Sequence, residues 1–227
     1  MRRIGLLVLI LIPLLFYNAP HVSAAANAQI QNETTYVDSL GWFHIVGEVL
    51  NAGDVWLHYV KITGTLKNAN GQVVDVETAY ALLDYLPPGA KSPFELIELD
   101  KAKISAIASY SLILEFDQAT STPASSLTIQ GATSSIDSIG ILEVVGEVKN
   151  NGLATSNSTE IIATFYDNAG KVIDVGSTYT SPSDIPPSQM YGFKVFGPSS
   201  PISSHVATFT LTAQSSQYIS LPTTSTL

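Results

Sequence analysis

The feature that most constrains this chain is an internal repeat that needs no gap. Asp38-Ser39-Leu40-Gly41 returns as Asp137-Ser138-Ile139-Gly140, and Val46-Gly47-Glu48-Val49-x-Asn51-x-Gly53 returns as Val145-Gly146-Glu147-Val148-x-Asn150-x-Gly152. Gly71, Val73, Asp75 and Val76 return as Gly170, Val172, Asp174 and Val175; Tyr80, Pro87, Pro88 and Phe94 return as Tyr179, Pro186, Pro187 and Phe193. Each pair is 99 positions apart. Two stretches so alike must fold alike. The expected organisation is one module over 29–121, a linker over 122–126 broken by Pro123, a second module over 127–220, and a Ser/Thr-rich flexible tail over 221–227.

The hydrophobic period inside each copy is two, which belongs to strands rather than helices. Phe43, Ile45, Gly47 and Val49 share one face, and Trp42, His44, Val46 and Glu48 share the other, expected to meet solvent. The second copy places Leu142, Val144, Gly146 and Val148 inward. A second strand turns Val60, Ile62, Gly64 and Leu66 inward, matched by Ile161, Ala163 and Phe165. Asn70-Gly71 and Ala169-Gly170 supply the left-handed residue of a hairpin, and each Pro-Pro stops ladder pairing. Only Asp100 to Ile107 reads as a short helix, with Asp100 as its N-cap. Six or seven short strands in about 90 residues predict an all-β chain of two tandem immunoglobulin-like antiparallel β-sandwiches.

Composition narrows the function classes. With no cysteine there is no disulfide framework, thiolate metal site or cysteine nucleophile. A net charge of −9 disfavours a nucleic-acid partner, which needs clustered Lys and Arg. Arg2 and Arg3 followed by an apolar run from Ile4 to Tyr17 and small residues up to Ala28 read as an export signal over 1–28, cleaved near Ala28, or else as an N-terminal anchor. The run is shorter than the ~20 residues of a spanning helix, and no second apolar run approaches that length.

The repeat resembles the FxLYD domain family. In the second copy the match is Gly146 to Gly152, then Phe165, Tyr166, Asp167, Gly170, Asp174, Pro187 and Phe193. The first copy keeps Gly47 to Gly53, Gly71, Pro88 and Phe94, but has Leu66-Lys67-Asn68 in place of Phe-Tyr-Asp. The resemblance implies an extracytoplasmic immunoglobulin-like sandwich of prokaryotic surface proteins, and no catalytic residue comes with it. The motif residues have structural readings: Gly47 and Gly146 for close sheet packing or a bulge, Asn51 and Asn150 for a turn, and Asp167 as acceptor in its hairpin.

Several side chains stand as candidates for chemistry. The acid pairs Glu48/Glu147, Asp75/Asp174 and Asp38/Asp137 invite a calcium reading, yet they lie one per strand and are expected to be solvated. His44 and His58 could meet at a metal, but Glu143 and Asn157 replace them in the second copy. His205 sits among serines without a nucleophile elbow. Trp42, Trp56 and Tyr59 occur only in the first copy and form a candidate partner-binding face, or else an interdomain contact. Asn32 and Asn157 head two glycosylation sequons. No catalytic residue, metal or cofactor is expected. The sequence reads as a secreted or cell-surface binding or adhesion module, its partner an envelope protein or glycan. A structural spacer of the envelope layer is the alternative, and an accessory subunit of an extracellular enzyme a more distant one.

Overall fold

A computed structural model describes residues 25–227. The chain is built almost wholly of strands. In the first half these are β1 (Ala28–Val37), β2 (Phe43–Asn51), β3 (Leu57–Lys67), β4 (Val73–Tyr80), β5 (Tyr85–Leu86), β6 (Lys91–Glu98) and β7 (Ser109–Gln118), with the one-turn helix α1 (Lys101–Ile104) before β7. The second half contains β8 (Ala124–Ile136), β9 (Leu142–Asn150), β10 (Glu160–Tyr166), β11 (Val172–Tyr179), β12 (Met190–Phe196), β13 (Thr208–Gln214), β14 (Tyr218–Ser220) and β15 (Thr223–Thr226).

In the first half a sheet ordered β1-β2-β6 faces one in which β3 pairs with β4, β5 and β7. The second half repeats this with β8-β9-β12 against β11-β10-β13; β14 bridges the two layers by pairing parallel to β8 and antiparallel to β13. One apolar cluster fills each half. Ile45, Val49, Ile62, Leu66, Phe94 and Leu96 dominate the first, and Leu142, Val144, Ile161, Phe165, Phe193 and Phe209 the second. These are the inward faces expected from the period of two.

The shared motif is a packing device. Gly47 lies opposite Phe94 and Gly146 opposite Phe193 in the ladders. A Cβ on either glycine would lie 2.8 Å from the phenylalanine ring, so the ring occupies the space the missing side chain leaves. The partner strand bulges at the same level in both halves, between Gln31 and Thr34 and between Gln130 and Thr133. The bulged residue is left-handed each time, Asn32 at φ 57° and Gly131 at φ 61°.

The motif asparagines are wholly buried and fully used. Asn51 Nδ2 donates to the carbonyls of Val55 (2.8 Å) and Leu86 (2.9 Å), while Oδ1 accepts from Gly53 N–H (3.0 Å). Asn150 makes the same three bonds to Ala154, Ile185 and Gly152. Asp167 accepts from Ala169 and Lys171, closing the β10–β11 hairpin. Asn68 accepts from Asn70 and Gln72 and closes the β3–β4 hairpin by the same geometry. The first copy thus keeps the turn although its Phe-Tyr-Asp is gone.

The structure corrects three expectations. The face of β2 that carries His44, Val46 and Glu48 does not meet solvent: their exposures are 7%, 0% and 1%. Strand β11 of the second half lies against β1, β2 and β6, so both faces of β2 are covered. The tail is not flexible, because Thr223–Thr226 adds to the open edge of β13 as β15; its β-branched threonines suit a strand. The linker is shorter than 122–126, since β8 already begins at Ala124. Helix α1 forms where expected, capped by the Asp100 carboxylate on Ala102 N–H, but it ends at Ile104.

Of the export signal or anchor expected over 1–28, residues 1–24 lie outside the described residues. Residues 25–28 already belong to the folded body. Gly53 N–H donates to Asn27 O, Asp54 N–H to Ala25 O, and Ala28 pairs with Asn51. Among the described residues no helix is long and apolar enough to cross a membrane.

Candidate functional site

Two regions collect the candidate side chains: the contact between the halves and an aromatic patch on β3. The contact is built around Glu48. Its carboxylate accepts from Asn32 Nδ2 (2.7 Å), from Lys91 Nζ and from the hydroxyl of Tyr166 (2.8 Å). Tyr166 is the tyrosine of the second copy's Phe-Tyr-Asp, so that side chain reaches across to the first copy's Gly-Glu-Val. Burial, followed by the Glu48 charge, pushes the Tyr166 phenol well above its usual value. Lys67 stands at the equivalent place in the first copy, and Glu147, the counterpart of Glu48, is exposed.

Beside this pair lies a polar stack. The Tyr36 and His44 rings are 4.5 Å apart and nearly parallel. Tyr36 donates to Asp174 Oδ1 at 3.1 Å, and His44 Nδ1 lies 2.7 Å from Glu95 Oε1. Burial raises the Asp174 carboxyl to about 6. Burial pulls the His44 imidazole down, but its bond to Glu95 and the Asp38 carboxylate 3.5 Å from Nε2 outweigh that and leave it raised. At the far end Gln214 donates to Leu82 O and accepts from Asp84 N–H. Ile162 and Ile219 join the first half's apolar cluster. An open cleft of about 510 Å³ remains at the contact, lined among others by Tyr36, Asp167, Ile173, Ile202 and His205.

The three first-copy aromatics do not form one face. Trp42 precedes β2 and Trp56 follows the turn after it, so the length of β2, about 26 Å at ~3.3 Å per residue, separates them. Trp56 is half-buried, packs on the first cluster and lines a cavity between the halves with Leu83, Ile219 and Pro222. Trp42 is half-buried, and its backbone N–H donates to the Asp38 carboxylate.

Tyr59 is 62% exposed and stands apart from both tryptophans. The ladder between β3 and β7 slips between His58 and Lys61, and Tyr59 sits in that irregularity at φ 49°. Ser158, its counterpart, has φ 48°. The left-handed backbone therefore belongs to the fold, and the first copy uses it to present a tyrosine. The His58 ring centroid lies 3.8 Å from that of Tyr59 and 4.5 Å from that of Tyr85, stacked on the latter. Tyr80, 55% exposed, flanks the same two shallow grooves of about 420 Å³ each, with Asp84 at one and Lys61, Glu115 and Asp117 at the other.

The remaining candidates separate. His44 and His58 lie in different sheets and each has its own partners. Asp38 and Asp137 cap their turns through backbone N–H groups. Glu48 and Asp174, expected to be solvated, are interface groups. Asn157 is exposed, but the Nδ2 of Asn32, the atom a glycan would need, is bonded to buried Glu48. Sequence reasoning did not reach Tyr80 and Tyr85 as companions of Tyr59, nor Glu77 and Glu98 as neighbours of Asp75. The exposed parity of Tyr80 and the two-residue spacing of Asp75 and Glu77 were the available signals.

The chain matches no protein-family model and no curated protein. Among solved structures it is similar to red sea bream transglutaminase, with 12% identity and a TM-score of 0.28 over 87% of this chain and 31% of that one. Amycolatopsis orientalis exo-chitosanase CsxA gives 12% identity and a TM-score of 0.31 over 88% and 26%. A β-glucuronidase from glycoside hydrolase family 2 gives 11% and 0.32 over 81% and 24%. The chain spans less than a third of the length of each, and likeness at this level carries no argument about activity. The fold class, all-β sandwich, rests on the sheets themselves.

Proposed function

We propose that this protein is a non-catalytic binding module of the cell envelope, secreted or held at the cell surface, built of FxLYD-like repeats. Its ligand contact is the Tyr59–His58–Tyr85–Tyr80 patch, and its ligand an envelope glycan. The observation that carries the reading is Tyr59, a large aromatic held out at 62% exposure beside a second exposed tyrosine and carboxylates. Aromatic faces pack on the apolar face of a sugar while neighbouring carboxylates and hydroxyls accept its hydrogen bonds. The basic head and apolar run at the N-terminus support the location. Co-sedimentation with purified envelope polysaccharide tests the ligand. The native protein sediments with it, and Tyr59→Ala with Tyr80→Ala stays in solution at unchanged melting temperature. Equal sedimentation of both would sink the glycan reading.

The second reading, a spacer that sets a distance in the envelope layer, is favoured by the buried Glu48–Tyr166 contact, which makes the repeats a stiff pair. Co-fractionation with the layer by the double variant as well as the native chain would support the spacer.

A further inference from the structure

Where β4 passes β6, Asp75, Glu77 and Glu98 bring carboxylate oxygens within 4.8 Å of one another. Asp75 and Glu77 are two apart on one strand and so share a face; Glu98 ends β6. Glu98 is only 4% exposed. One of its oxygens accepts from Asp100 N–H at 2.7 Å, whereas Oε2 is buried without a hydrogen-bond partner among the described residues. A buried carboxylate oxygen left bare is costly unless a cation meets it. Among the described residues the cation beside this cluster is Lys103 Nζ on α1, which is bonded to Asp75 and not to Glu98.

We propose that Asp75, Glu77 and Glu98 form a calcium site, and that the Lys103 ammonium stands in for the ion when calcium is absent. Three carboxylates can supply up to six hard oxygens, water completing the shell, and the flexible geometry of Ca²⁺ tolerates such a set better than the strict octahedron of Mg²⁺. The Lys103 side chain is 41% exposed and is free to swing into solvent. The site belongs to the first copy alone, because the counterparts of Glu77, Glu98 and Lys103 are Gly176, Gly197 and Ile202. It is independent of the aromatic patch and of the ligand proposed there.

Calcium chloride titrated into the protein, followed by calorimetry and by melting temperature with magnesium chloride as the control, tests this. Calcium should bind in the range of extracellular modules, ~0.1–1 mM, and raise the melting temperature more than magnesium does. Glu77→Gln should abolish the response, and Lys103→Met should tighten binding several-fold by removing the competitor. Glu147→Gln, an exposed acid of the second copy, should leave it unchanged. No heat and no shift at about 10 mM in the native chain overturns the proposal. So does a Lys103→Met chain that binds no tighter, or a Glu147→Gln chain impaired as much as Glu77→Gln. Should Lys103→Met not fold, Lys103→Gln removes the same charge and is judged by the same result.

Discussion

At the scale of single residues, the repeated motif is a set of buried bonds and one ring-over-glycine contact. Asn51 and Asn150, wholly buried themselves, each satisfy three backbone groups, among them the buried carbonyls of Leu86 and Ile185. Replacing either by alanine leaves those groups bare and is expected to cost about 2–4 kcal/mol, read from urea denaturation. A cost below about 0.5 kcal/mol would mean that the turn closes without the amide. Gly146→Ala drives a methyl into Phe193 and should cost roughly 1–3 kcal/mol, with Phe193→Leu restoring part of it in the double variant.

The interface groups make stability depend on pH. Asp174 has its carboxyl raised from 3.8 to about 6, so its contribution is full below 3.8 and is lost as pH rises through 6. His44, raised from 6.5, contributes below that value and loses its contribution as pH rises through its folded-state value. Both therefore favour mildly acidic conditions. Asp38 and Asp75 are lowered from 3.8, and their contribution is lost only as pH falls below that. Melting temperature should rise from pH 8 to pH 5 and fall again below about pH 4. Asp174→Asn should flatten part of the upper limb; an unchanged slope would remove Asp174 from the account.

At the scale of elements, much was legible in advance. The inward residues of β2, β3, β9 and β10, the hairpins at Gly71 and Gly170, and the N-cap at Asp100 all follow from local rules of period, turn and cap. What escaped was whatever depended on elements not adjacent in the chain. The outer face of β2 alternates like a solvated face, and only the approach of β11 buries it. Glu48 reads as a surface acid until Tyr166, 118 residues later, bonds to it. Thr223–Thr226 reads as a frayed end because nothing local reveals that β13 has a free edge. Deleting 221–227 should bare that edge and raise hydrogen exchange along Thr208–Leu211, the residues paired with β15. Undiminished protection there would mean that β15 is dispensable.

At the scale of the whole molecule, two copies of one module have diverged by what each faces. The first copy's outer sheet became an interface, with Asn32, Tyr36, His44 and Glu48 as its polar groups; its opposite sheet carries the aromatic patch, and the acid cluster joins the two sheets where β4 passes β6. The second copy keeps the Phe-Tyr-Asp whose tyrosine closes that interface, and its own outer face, with Glu143, Val145 and Glu147, follows the simple alternation. Trp56 lies on the contact rather than on a free face. Trp56→Ala should accordingly lower the melting temperature, as loss of a half-buried indole against Leu83 and Ile219 requires. Unaltered stability would return Trp56 to the list of ligand-contact candidates.

The two repeats form one body through the buried face of β2. Urea unfolding followed by two signals tests it directly. Both tryptophans lie in the first copy, so indole fluorescence reports that half and, through Trp56, its contact with the second, while far-ultraviolet circular dichroism reports all the strands. Coincident transitions are expected in the native chain, with Tyr166→Phe shifting both midpoints downward together. A fluorescence transition separate from the circular dichroism transition, and indifferent to Tyr166→Phe, would contradict it.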